Sequence, residues 1–352
     1  MPCSAVFLQR HYYLSPRICI PPNSVGVIAA QAMLHHGANV LAQAANTNHT
    51  GKNILNRDGK LIITFYGVRG SIPSPGPATA RYGGNTSCVY IELASGNSLI
   101  LDAGTGIRAL GKRLAQTHET INILLSHGHW DHVQGYPFFE PIYQPERRIR
   151  VFTSTQGEHG QLCSLFNQID GANFPVSADQ LPSQSECITE DPAIVLGEEN
   201  IIVRRARINH PGGGYAYRIE EDGTSCVYVT DNELDPPHKV TTRYEQWVEF
   251  CRGVDVLIHD AQYLESDMPT KHGWGHSLVS QVRQLAVDAE AASLVMFHHD
   301  PDRSDAEIDF IQQENDAFFR GLRAPSLSVC AAEGMRIQLT PQSGKATRID
   351  IN

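Results

Sequence analysis

The chain is short of the features that mark several common protein classes. Its eight cysteines, at positions 3, 19, 88, 163, 187, 226, 251 and 330, include no Cys-x-x-Cys pair, so reduced thiols are expected rather than a disulfide framework. No stretch reaches about 18 consecutive apolar residues, and no membrane span is expected. Residues 18–51 lack every Asp, Glu, Lys and Arg, yet Pro21, Pro22, Asn23, His35, His36 and Asn39 interrupt them. Residues 1–17 show no basic start followed by an apolar run and a small-residue cleavage site, so a cytoplasmic location is expected. Basic residues are outnumbered, 28 against 38 acidic, for a net charge of −10 with histidine neutral. Such a surface repels nucleic acid at long range, and a polyanion would need a local basic patch or a bound metal. Internal repeats and low-complexity tracts are also missing.

What is present in excess is histidine, 16 residues in 352, many of them grouped. The length is enough for a large core and allows one large domain or two. Composition changes near residue 58: before it stand Arg10, Arg17, Lys52 and Arg57 with no acid at all. Residues 1–57 therefore read as an N-terminal extension, with a helix over 24–45 and a linker over 46–60, ahead of a domain over 58–352. From there β-type runs are expected at 61–67, 87–93, 98–102, 121–126, 149–154, 201–208, 215–220, 225–230, 255–259 and 293–298. Helical patterns fall at 105–116, 240–252, 276–291 and 303–321, the last opening on a capping sequence, Ser304-Asp305-Ala306-Glu307. Strand clusters separated by helices, in two successive sets, indicate two sheets with helices outside. The irregular segment 155–200 reads as a surface excursion or lid.

The strongest chemical signal follows the run at 121–126. Ser126-His127-Gly128-His129-Trp130-Asp131-His132 sets three imidazoles and a carboxylate within six positions. His127 and His129 share a face on extended chain, and Asp131 and His132 begin the next turn. Neutral imidazole and carboxylate suit zinc, manganese or iron, and the density of donors suits two ions sharing a water. A pair of ions needs further ligands, expected at the ends of later strands. His210, Asp231 and His298 stand there, although any one of them alone would read as a turn former or cap. Asp102, after Leu99-Ile100-Leu101, reads as a carboxylate that accepts hydrogen bonds, holds the ligand loop and fixes an imidazole tautomer, with a plain helix cap as the alternative.

The order Asp102, His127-x-His129-x-Asp131-His132, His210, Asp231, His298 resembles the metallo-β-lactamase superfamily of dinuclear hydrolases. Gly67-Val68-Arg69-Gly70-Ser71, Tyr82-Gly83-Gly84-Asn85-Thr86-Ser87, Ile258-His259-Asp260-Ala261-Gln262-Tyr263 and Gly273-Trp274-Gly275-His276-Ser277 are similar to its phosphodiesterase branch, which holds ribonuclease Z and cyclic-phosphate phosphodiesterases. The likeness runs over about residues 61–310 and leaves out the first sixty. It implies an α/β fold, the four-layer αββα sandwich, with metals at one edge of the sheets. It assigns His127, His129 and His210 to one divalent ion, Asp131, His132 and His298 to the other, and Asp231 between them. It favours His298 over His299 as the last ligand. It makes Asp131 catalytic as a ligand, His276 the acid that protonates the leaving oxygen, and Asp260 a supporting residue.

The chemistry implied is attack by water, activated between two divalent ions with zinc the first choice, on a phosphodiester, with His276 donating a proton. Arg69 and Arg81 are candidates for pairing a second charged group of the substrate. The segment 155–200 holds eight acids and no Lys or Arg, which cannot neutralise a transfer RNA backbone. A small diester such as a cyclic nucleotide or cyclic ribose phosphate is therefore preferred, nucleic acid is not expected as a partner, and a homodimer is allowed. Three alternatives stay open: a ribonuclease Z-like processing endonuclease, an acyl hydrolase of lactones, thioesters or β-lactams, and a metal-stabilised sensing module.

Overall fold

Alternate residues of a strand face opposite ways, and strands that are apolar on both sides must be covered on both sides. The computed structural model describes residues 60–153, 164–197, 201–237, 239–322, 325–341 and 347–352. The extension expected over 1–57, its helix and nearly all of its linker lie outside the described residues. In chain order the strands are β1 (Leu61–Gly67), β2 (Cys88–Glu92), β3 (Ser98–Leu101), β4 (Ile121–Leu124), β5 (Arg148–Phe152), β6 (Gln184–Ile188) and β7 (Ile202–Arg207). Then follow β8 (Tyr215–Glu221), β9 (Thr224–Val229), β10 (Val256–Asp260), β11 (Ser293–Phe297), β12 (Leu327–Cys330), β13 (Arg336–Pro341) and β14 (Thr347–Ile351). The helices used below are α1 (Ile107–Leu114), α2 (Trp130–Val133), α3 (Tyr244–Cys251), α4 (Val279–Asp288) and α5 (Asp305–Phe319).

One sheet has the order β14-β13-β1-β2-β3-β4-β5-β6, the other β12-β11-β10-β9-β8-β7. Each is antiparallel in one part and parallel in the other: β3 to β6 run parallel in the first, β9 to β12 in the second. Inner faces meet through Phe65, Ile91 and Leu101 on one side and Tyr228, Ile258 and Phe297 on the other. The Phe65 and Phe297 rings lie 6.1 Å apart across that layer. Outside, Ile107, Leu110 and Leu114 of α1 bury against the first sheet, and Trp247 of α3, Leu285 of α4 and Ile308 of α5 against the second. The result is the expected four-layer αββα sandwich. Helix α5 starts where the capping sequence placed it, with Ser304 and Glu307 bonded reciprocally. Among the described residues no helix is long and apolar enough to cross a membrane.

Four strands were not anticipated. β12, β13 and β14 lie in the tail, and β6 falls inside the segment expected to be a lid. β6 instead pairs in parallel with β5, from Arg148 opposite Gln184 to Phe152 opposite Ile188. Its sequence, Gln-Ser-Glu-Cys-Ile, is polar because an edge strand has only one neighbour and little to bury. A second correction concerns Cys187, which is disulfide-bonded, while Cys88, Cys226, Cys251 and Cys330 are buried free thiols. Pairing depends on the approach of two cysteines in space, which spacing along the chain does not reveal.

Candidate metal centre

Parallel strands deliver their C-terminal ends to one edge, and in sheets of this kind the crevice beyond those ends collects functional groups. Asp102 follows β3, the histidine-rich loop follows β4, Asp231 follows β9, Asp260 ends β10 and His298 follows β11. Three of these residues hold left-handed backbone, with φ of 62° at Asp102, 50° at Asp231 and 59° at His298. Side chains rarely adopt that conformation, at a cost on the order of 1–3 kcal/mol each, so the surrounding packing holds them there against preference.

Two groups of donors meet at Asp231, and a third gathers Asp260, His276 and His298. His127, His129, His210 and Asp231 form one, Asp131, His132, Asp231 and His298 the other, and within each the ligand atoms lie within 4.8 Å of one another. Asp231 belongs to both. Its Oδ1 is 3.1 Å from His132 Nε2 and 3.0 Å from His298 Nε2. Its Oδ2 is 3.6 Å from His127 Nε2 and 3.5 Å from His210 Nε2. Asp131 Oδ2 lies 3.2 Å from His132 Nε2 and 3.1 Å from His298 Nε2, and accepts the Ser71 N–H at 2.8 Å. His129 Nδ1 and His210 Nε2 face each other at 3.0 Å. His299 turns away to the Ala331 carbonyl at 2.9 Å, so His298 is the member of the cluster.

The rear of three of the imidazoles is anchored. Asp102 Oδ2 sits 2.8 Å from His132 Nδ1 and also accepts the hydroxyls of Ser126 and Tyr228, each at 2.8 Å. Gln262 Oε1 faces His298 Nδ1 at 2.9 Å, and the Gly275 carbonyl faces His210 Nδ1 at 2.9 Å. With Nδ1 engaged, Nε2 is left as the lone-pair donor. The cluster fits divalent cations on this evidence: His127 Nε2 and His132 Nε2 are buried with no hydrogen-bond partner, yet both are aimed at carboxylate oxygens. An unsatisfied buried ring nitrogen is costly, and nitrogen and oxygen donors at this spacing answer it with a metal. Burial pushes the His127 ring down in pKa and His210 to about 4, keeping both in the neutral form that binds metal. At His132 burial opposes the charge, but Asp131, Asp231 and Asp102 overcome it and raise the pKa.

His276 borders the same space without joining either group of ligands around Asp231. Its Nδ1 lies 2.8 Å from Asp260 Oδ2, and its ring stacks on that of His298 with centroids 5.1 Å apart. Burial works against its protonation, but Asp260 outweighs it, with Asp231 and Asp131 adding, and pushes the pKa up to about 9. A cavity of about 770 Å3 opens here, lined by Ser71, His129, Asp131, His210 and His276, with Trp130 and Trp274 at its rim, 81% and 58% exposed.

Neither arginine expected to meet substrate lines that cavity. Arg69 is fully buried, its guanidinium donating to the carbonyls of Gly83 at 3.1 Å, Asp300 at 2.9 Å and Arg303 at 2.7 Å. It is a tie between loops. Arg81 forms a two-pronged pair with Asp309 at 3.0 and 2.6 Å on the surface. Sequence reasoning missed Ser71, Ser126, Tyr228 and Gln262, single polar residues that carry no pattern of their own.

The fold and this cluster define a metal-dependent hydrolase. A model of the beta-lactamase superfamily domain matches residues 97–299, more than half of the chain, and the chain belongs to that superfamily. Ribonuclease Z of Thermoplasma acidophilum is 25% identical over 289 residues, covering 70% of this chain and 88% of that protein. Ribonuclease Z of a Synechococcus species is 21% identical over 348 residues, covering 80% and 97%. Among solved structures, the metallo-beta-lactamase fold protein YhfI of Bacillus subtilis superposes with a TM-score of 0.55 at 15% identity, covering 80% of this chain and 99% of that one. A diphosphatase of the PhnP family gives 0.53 at 17% identity, covering 79% and 97%. At those identities the likeness shows the shared fold.

Proposed function

We propose that this chain hydrolyses a small phosphodiester, such as a cyclic nucleotide or cyclic ribose phosphate. His127, His129 and His210 would hold one divalent ion, Asp131, His132 and His298 a second, with Asp231 shared. Zinc is the first choice for such a donor set, and manganese or iron also fit. Bound ions supply Lewis acidity toward the phosphoryl oxygens and lower the pKa of water.

The observation that carries the reading is His276, held by Asp260 at 2.8 Å and bordering the same cavity as the ligands. Acyl hydrolysis has no need of an acid on the phosphate side, whereas expulsion of an alkoxide does. With Nδ1 bonded to Asp260, Nε2 carries the proton that goes to the departing oxygen. Asp102 and Gln262 keep the His132 and His298 rings from turning, and Ser71 fixes the Asp131 carboxylate. Relatives named ribonuclease Z favour a second reading, 3′ processing of a transfer RNA precursor. Against it stands the acidic stretch 155–200, which offers a phosphate backbone nothing to bind.

The test is hydrolysis by metal-analysed protein of bis(p-nitrophenyl) phosphate and a 2′,3′-cyclic nucleotide, beside a lactone, a β-lactam and a transfer RNA precursor. Turnover of the two diesters is expected. Turnover of the lactone or β-lactam alone would overturn the proposal, and turnover of the precursor alone would establish the second reading.

A further inference from the structure

Glu233 is a buried carboxylate two residues after Asp231 that takes no part in the donor cluster. Its Oε1 accepts the N–H of Gly273 at 2.9 Å and its Oε2 that of Gly275 at 3.0 Å. The exposed imidazole of His272 stands 3.7 Å from Oε1. Both glycines hold left-handed backbone, φ 89° and 91°, and a Cβ on Gly275 would collide with the His210 ring, so only glycine lets the chain pass there. The peptide groups of Gly275 are thus held at both ends, the N–H by Glu233 and the carbonyl by His210 Nδ1 at 2.9 Å. His276 comes next in the chain. Glu233 is itself fixed to the residue before His210: its N–H donates to the Asn209 carbonyl at 3.0 Å, and Asn209 Nδ2 donates to its carbonyl at 3.1 Å.

We infer that Glu233 is a positioning residue that clamps the Gly273–Gly275 loop and thereby sets His276 against the leaving oxygen. The inference rests on the reading of His276 as the acid. Two N–H groups aimed at one carboxylate require both oxygens as acceptors. A glutamine in its place accepts through one oxygen and turns an N–H2 toward the other donor, so it releases half the clamp without changing shape.

The test uses the full-length holoprotein with methyl p-nitrophenyl phosphate and methyl phenyl phosphate, which differ only in how much the leaving oxygen needs a proton. E233Q is expected to lower kcat on the phenyl ester about tenfold and on the nitrophenyl ester about twofold or less. H276A should show the same split, larger, and H276A/E233Q no loss beyond H276A. Equal losses on the two esters, or losses that multiply in the double variant, would mean a merely structural role and overturn the inference. Amide hydrogen exchange over 271–277 gives a readout independent of turnover, expected to quicken about tenfold in E233Q. Unchanged exchange overturns the clamp. E233D, which keeps the charge but is too short to reach both donors, should show the same changes if E233Q fails to fold. A wild-type protein inert on both esters would sink the proposed function instead, and the exchange measurement would still decide the clamp.

Discussion

Asp260 meets His276 at 2.8 Å while its two oxygens also accept the N–H groups of Asn232 at 3.3 Å and Gln262 at 3.0 Å. One carboxylate thereby connects the proposed acid to the residue after Asp231 and to the residue that holds His298. Replacing it should disturb the acid while leaving the ligands in place. Asp260→Asn is expected to lower kcat on an alkyl or phenyl diester by about 10–100-fold with full metal content. Steady-state kinetics beside elemental analysis checks this, and a parallel loss of metal would show that Asp260 serves the ligands first.

Removal of His276 itself should be more costly. His276→Ala is expected to reduce kcat by about 10²–10⁴-fold with metal retained. Wild-type turnover in that variant would remove the histidine from the chemistry.

Asp231 faces both groups of donors, so its loss should act on both sites together. Elemental analysis is expected to find two divalent ions per wild-type chain, fewer than one in Asp231→Ala, and activity lost with them. A chelator should lower Tm, since ions that bind only the folded chain stabilise it. An unshifted Tm after complete removal of metal would contradict the fit argued from the unsatisfied ring nitrogens of His127 and His132.

Arg69 bears on stability and not on substrate. Arg69→Met leaves three carbonyls without their donor, and should destabilise the fold by about 3 kcal/mol in urea unfolding. An unchanged unfolding midpoint with a raised KM would restore the role first expected of it.

Acid should unfold this protein partly through His259. Burial lowers the pKa of that ring, which sits on central strand β10 with Nε2 unpartnered. In the unfolded chain it titrates near 6.5. Its neutral form therefore contributes fully above about pH 6.5, and the contribution falls as acidity rises, because the unfolded chain takes up a proton that the folded one refuses. His259→Phe should flatten the pH dependence of unfolding free energy below about pH 6.5 by up to about 1.4 kcal/mol per unit. Parallel curves for variant and wild type would show that other groups govern the acid limb.

The sequence revealed most of this site because the donors of the first loop are adjacent and the rest stand where an apolar run stops. His127 to His132 is a pattern in itself, and Asp231 follows Val-Tyr-Val-Thr as His298 follows Leu-Val-Met-Phe. Nothing local distinguishes Gln262 or Tyr228 from ordinary polar residues, since Tyr228 meets Asp102 only across the two sheets and Gln262 meets His298 only where β10 pairs with β11. Arg69 was misread for a related reason. An arginine in the glycine-bounded stretch Gly67-Val68-Arg69-Gly70 looks exposed, and only the approach of residues 300–303, more than two hundred positions away, buries it. β13 alternates Ile337 and Leu339 inward with Arg336 and Gln338, a strand pattern legible in the residues themselves.

The three tryptophans are distributed in a way that divides what light can report. Trp130 and Trp274 stand in water at the mouth of the cavity, and Trp247 is sealed beneath the second sheet. A ligand entering the cavity should quench or blue-shift the red-edge emission of the outer pair and leave the blue component alone, while unfolding must move the blue component. Occupancy and integrity can thus be followed in one cuvette, with no label attached.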